Sequence, residues 1–88
     1  MIERFTQIQR TGGPEVIEWA DVQLTEPAPG DVRMRNLAVG LNFIDTYHRS
    51  GLYPMAKPCG LGMEAAGIIE AVGDGVSDWQ VGDRVATF

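Results

Sequence analysis

Gly60-Leu61-Gly62-Met63-Glu64-Ala65-Ala66-Gly67 is followed by Gly73, Gly75 and Val76, and closed by Gly82-Asp83-Arg84-Val85. Two folds compete for this stretch. Gly60 to Ala65 has the spacing G-x-G-x-x-A, which in a dinucleotide-binding unit joins a strand to a helix and sets backbone N–H groups against a pyrophosphate. The surroundings argue otherwise. The stretch follows the irregular run Tyr53 to Pro58, not a strand, and Glu64 to Val72 contains Ile68, Ile69 and Val72 and is interrupted by Gly67. The glycines therefore read as turn residues leading into a long apolar strand. A bulge or a close backbone approach is expected at Gly67. Asp74-Gly75 is a turn signal, and Val81-Gly82-Asp83 leads to a last strand.

Working outward, 11 glycines and 5 prolines punctuate short segments at nearly regular intervals. That spacing predicts a β-rich fold of barrel type. Glu3 to Gln9 is a first strand, Thr11-Gly12-Gly13-Pro14 a turn, and Glu15 to Val22 a second strand. Asp31 to Val39 is a third, in which Val32 and Met34 alternate with Arg33 and Arg35. One short helix is expected after it. Asn42 can cap it, Asp45 lies near its positive end, and Gly51 fits its C-terminal stop. The length of 88 residues suits one small domain with a limited core.

The net charge of −5 argues against binding a nucleic-acid backbone and gives no support for attraction to an anionic membrane. No apolar run reaches the roughly 18 residues of a membrane span. Met1-Ile2-Glu3-Arg4 is not a charged n-region followed by an apolar h-region, so no signal peptide is expected. The single cysteine, Cys59, excludes an internal disulfide framework, and a reducing, cytoplasmic setting is the simplest reading. Arg84 to Phe88 reads as a strand with no polar tail, so a longer parent protein is expected.

The chemistry-bearing side chains form no obvious catalytic set. His48 is the only histidine and reads as a surface helix residue. Cys59 has no neighbouring base and reads as an incidental thiol. The carboxylates are scattered, so no acid/base pair stands out. Trp19 and Trp79 are expected in core or rim packing. Tyr47 and Tyr53 flank the helix end at Gly51, where a ring can stack and a hydroxyl can donate, although packing alone explains them as well.

Two segments carry a more specific signal. The glycine-rich stretch with Glu64 and Gly67 resembles the signature of the medium-chain dehydrogenase/reductase superfamily. Gly40-Leu41-Asn42-Phe43-Ile44-Asp45-Thr46-Tyr47 with Arg49-Ser50-Gly51-Leu52-Tyr53-Pro54 is similar to its zeta-crystallin-like branch, the NADPH:quinone oxidoreductases, as is Gly12-Gly13-Pro14-Glu15-Val16. The resemblance implies a mainly β, GroES-like, partly open barrel with one short helix. Residues 1–88 would form the N-terminal portion of an alcohol dehydrogenase-type catalytic domain, with the Rossmann domain absent and the piece inactive alone. Zinc-dependent relatives carry a Cys where this chain has Asn42 and a His where it has Met63. An amide and a thioether are poor replacements for thiolate and imidazole, so the resemblance implies no zinc.

The same resemblance places Asn42, Phe43, Ile44, Asp45, Thr46 and Tyr47 against NADPH, and Asn42, Tyr47 and Tyr53 in the quinone pocket, while Glu64 and Gly67 read from their own chemistry as structural. Glu64 would be a buried carboxylate needing a partner such as an Arg. The parent would be a homodimer reducing a small-molecule quinone. Two rivals stay open: a reductase of enones or enoyl thioesters from the same superfamily, and a GroES-like binding module without catalysis.

Overall fold

The computed structural model describes residues 2–88; the reading of the N-terminus that begins at Met1 lies partly outside them. The chain divides into two compact units, one built from residues up to Leu24 with Leu41–Met63, the other from Thr25–Gly40 with Glu64–Phe88. Each contains a three-stranded antiparallel sheet.

In the first unit, β1 (Ile2–Ile8) is central. It pairs with β2 (Glu18–Gln23) from Ile2↔Gln23 to Gln7↔Glu18, and with the two-residue β4 (Cys59–Gly60) on its other edge. Ile8 and Val16 are buried and form the apolar core of this unit. The second strand starts later than the sequence suggests. Pro14–Val16 forms a turn of 3-10 helix, because proline pre-sets a helical φ at its first position. Val16 N–H then bonds to the Gly13 carbonyl at 3.1 Å and Ile17 N–H to that of Pro14 at 3.2 Å. These local bonds outcompete extension, and Val16 turns inward.

On β2, Glu18 accepts hydrogen bonds from Gln9 and Gln7 at 2.6 and 2.8 Å, and these hold its carboxyl below the usual value. Trp19 is 64% exposed, so it is a rim residue. The Arg4 guanidinium lies 5.0 Å from its ring centroid.

In the second unit the order is β3 (Val32–Gly40), β5 (Glu64–Val72), β6 (Arg84–Thr87). The predicted alternation along β3 is broken. Pairing steps from Arg33↔Ala71 to Met34↔Ile69, which leaves Glu70 as an extra residue in β5. Arg33 is consequently half-buried and bonds Glu70 through Nε at 2.8 Å, while Val32 stays exposed. Ile69 is 1% exposed and centres the core of this unit. Its N–H and C=O bond to Asp83 and Gly82, both at 2.9 Å. Trp79 is about half exposed and stands outside that core.

The expected close approach occurs at Gly67, which is buried and faces Asn36. A Cβ there would overlap the Arg35 carbonyl oxygen and crowd Met34 Cγ at 3.0 Å. The bulge itself lies in the opposite strand, at Leu37, since pairing moves from Asn36↔Gly67 to Ala38↔Ala66.

Gly67→Ala should therefore destabilise the chain by about 1–3 kcal/mol or more, because the clash is with backbone rather than a flexible side chain; urea unfolding will measure it, and an unchanged midpoint would contradict the close approach. A second expectation concerns acid. Glu18 has a folded pKa below its ordinary 4.5, so its ionised form is favoured by folding. Its contribution is complete above the ordinary value and lost as pH falls through the lower folded value. An NMR titration should show a depressed Glu18 midpoint that moves back up in Gln9→Ala.

Candidate functional site

The helix α1 (Phe43–Ser50) and the loop after it carry most of the residues singled out from sequence. Asn42 is extended, with φ −129° and ψ 159°, and its N–H donates to Asp45 Oδ2 at 3.0 Å. Asp45 N–H bonds back to the Asn42 carbonyl at 3.0 Å. A carboxylate here also meets the positive end of the helix dipole. Asp45 is 5% exposed, and its second oxygen, Oδ1, is buried with no hydrogen-bond partner. The helix stops at Gly51, whose φ of 90° is left-handed and suits only a residue without Cβ strain.

The Tyr47 carbonyl organises the C-terminal end. It accepts the N–H of Gly51 at 3.0 Å and that of Tyr53 at 3.2 Å. This brings the two tyrosines together, with ring centroids 5.2 Å apart and planes at 68°, an edge-to-face pair. Tyr47 is half-buried and Tyr53 half-exposed. Phe43 at the start of α1 is 81% exposed, and Asn42 beside it is also exposed. Ile44 and Thr46 are half-buried, and Thr46 Oγ1 is committed to the Phe43 carbonyl at 2.7 Å.

Phe43 offers a planar apolar surface that no core claims, with the polar Asn42 next to it. Asp45, by contrast, faces inward and works as the helix cap. The glycine-rich stretch has no phosphate-loop geometry: Gly62 turns with φ 99°, and Glu64 begins a strand, not a helix. Met63 is 46% exposed. Among the described residues no group of three or more His, Cys, Asp and Glu side chains could hold a metal ion.

Glu64 lies in the other unit and is exposed, not buried as the sequence suggests. Its side chain folds over Gly40, the residue it faces at the end of the β3–β5 ladder, in the space a Cβ would occupy. It borders an open hollow of about 380 Å³ lined by Val39, Gly40, Ala65, Thr87 and Phe88 among others. The edge-to-face geometry of the tyrosines was not legible from sequence, since it depends on one carbonyl accepting two N–H groups.

Residues 28–88 match the alcohol dehydrogenase GroES-like domain family. Over 81 residues the chain is 60% identical to a quinone oxidoreductase of Pseudomonas aeruginosa, covering 91% of this chain and 25% of that protein. It is 48% identical over 84 residues to a 2-haloacrylate reductase of a Burkholderia species, covering 91% of this chain and 25% of that one. The crystal structure of Escherichia coli quinone oxidoreductase complexed with NADPH superposes with a TM-score of 0.92 at 46% identity, over 96% of this chain and 26% of that one. The chain thus spans about a quarter of the length of the curated relatives it matches. The mainly β architecture with a single described helix agrees with these likenesses, and neither three-stranded sheet closes on itself. With the family match running over residues 28–88, this chain belongs to the alcohol dehydrogenase GroES-like domain family.

Proposed function

We propose that residues 1–88 are the N-terminal portion of the catalytic domain of a zinc-independent reductase that passes hydride from NADPH to a quinone, working as a cytoplasmic homodimer. The observation that carries this reading is the 60% identity to a quinone oxidoreductase across nearly the whole chain. The exposed Phe43 and the Tyr47–Tyr53 pair support it. Bound NADPH supplies the hydride. This chain's share would be to orient and to stabilise: Phe43 would pack against the nicotinamide of bound NADPH, Asn42 would offer an amide beside it, and the tyrosines would wall the acceptor. Reduction of a quinone develops negative charge on its oxygen, which a Tyr hydroxyl or the Asn42 amide can stabilise by donation. Two electrons arrive as hydride and one proton comes from solvent, giving the hydroquinone.

Zinc independence is supported by chemistry. Asn42 and Met63 stand at the positions of a thiolate and an imidazole, and neither replaces such a ligand well. The relative that reduces 2-haloacrylate favours a second reading, reduction of an activated carbon–carbon double bond at the same site.

In a full-length protein containing this chain, NADPH oxidation followed at 340 nm should be faster with 1,4-benzoquinone than with 2-chloroacrylate and unaffected by chelators. Faster turnover of the acrylate would move the assignment to the second reading, and loss of activity on chelation would remove zinc independence. The 88-residue chain alone should show no turnover. Tyr53→Phe should lower kcat for the quinone about a hundredfold, the scale of losing one donor to a developing oxyanion. An unchanged kcat would take the Tyr53 hydroxyl out of that role.

A further inference from the structure

The turn Thr11-Gly12-Gly13 and the last turn of α1 are locked to each other. Gly12 N–H donates to the Arg49 carbonyl at 3.0 Å, and Arg49 Nε donates to the Gly12 carbonyl at 3.2 Å, closing a reciprocal pair between residues 37 apart in sequence. A Cβ at residue 12 would lie 2.7 Å from Cγ1 of the buried Val16, so one of the two would have to shift. One residue earlier, Thr11 sits against Gly51, where an added Cβ would come within 3.0 Å of Thr11 Cγ2. The turn thus meets α1 at Arg49 and again at the residue that ends the helix.

Both contacts flank the tyrosine pair. Arg49 is two positions beyond Tyr47, and Gly51 two before Tyr53. Gly51 and Tyr53 both donate to the Tyr47 carbonyl, so a shift of the helix end moves both rings. A helix of eight residues has little stability of its own and takes its last turn from such outside contacts. Arg49 is suited to the task because its guanidinium is planar and directional, whereas a lysine ammonium is a rotating point charge. Its charge has a counterpart in Glu15, whose carboxyl is held below the usual value by its own N–H and that of Gly13, with further help from Arg10 and Arg49.

We propose that Gly12 and Arg49 are positioning residues: their reciprocal hydrogen bonds fix the C-terminal end of α1 and thereby set the edge-to-face geometry of Tyr47 and Tyr53 at the acceptor site. The functional part of this inference rests on the quinone-reductase reading; the structural part does not. Arg49→Lys keeps the charge and removes the directed Nε donor. Gly12→Ala disturbs the same contact from the turn, with the sequence of α1 unchanged.

NMR spectra of the 88-residue chain will show whether each variant keeps a dispersed, folded amide pattern and whether the cross-ring NOEs between Tyr47 and Tyr53 survive. The expected result is a folded Arg49→Lys chain with those NOEs lost or much weakened. In the full-length reductase the same variant should lower kcat/KM for the quinone about tenfold, the scale of slight misplacement, with KM for NADPH unchanged. Wild-type ring NOEs in a folded Arg49→Lys chain would overturn the proposal. So would unfolding of both variants, which would make the contact a folding determinant only. If the wild-type parent reduces no quinone, the reductase reading fails, and the ring NOEs still decide the clamp.

Discussion

The approach of the β5 backbone at Gly67 to the Arg35 carbonyl is the constraint on which the second unit depends. Two main chains come closer there than any side chain would permit, and the strand opposite accommodates it by a bulge at Leu37. β5 is the middle strand, so its register sets those of β3 and β6 together. A slip by one residue would exchange the faces of the sheet and take Ile69 out of the core. The register also ends the ladder at Gly40↔Glu64, and the absence of a Cβ at residue 40 lets the Glu64 side chain fold across the strand.

The first unit is held by polar geometry as much as by apolar burial. Ile8 and Val16 are its buried hydrophobic residues, and the third buried side chain, Asp45, is a carboxylate. A buried carboxylate is stable only where donors face it. The Asn42 N–H provides one, and the helix dipole adds a favourable field. With so few apolar contacts beneath it, α1 depends on its ends: the cap at Asn42 and the stop at Gly51. Leu41 and Phe43 are more than four-fifths exposed on either side of the cap, which leaves apolar surface available to a ligand instead of a core.

The local signals in the sequence were strong where a backbone conformation has few chemical solutions. Asn42, Asp45 and Gly51 announced the helix with its start and stop, because orphan N–H groups call for an acceptor and a left-handed residue calls for glycine. Gly67 announced a close approach, and the G-x-G spacing was correctly set aside because no helix follows it. The signal failed where two local preferences competed. Glu15 and Val16 look extended by composition, yet Pro14 before them favours a helical turn and Val16 gains burial by it. For Trp19 and Trp79 the sequence left core and rim open, and their exposures of 64% and 51% place both away from the buried core residues.

The sequence by itself determined the class of fold, the position of the one described helix, the turn glycines and the family to which the chain belongs, because each rests on covalent geometry or on residues adjacent in the chain. Tertiary structure alone decided which pairs distant in sequence meet: Gly12 with Arg49, Gly67 with Arg35, Arg33 with Glu70, and the tyrosines across one shared carbonyl. The reason is physical. A residue's own conformational preferences are written in its side chain and its neighbours, whereas register, bulges and side-chain exposure depend on how much backbone and apolar surface the rest of the chain brings to the same place.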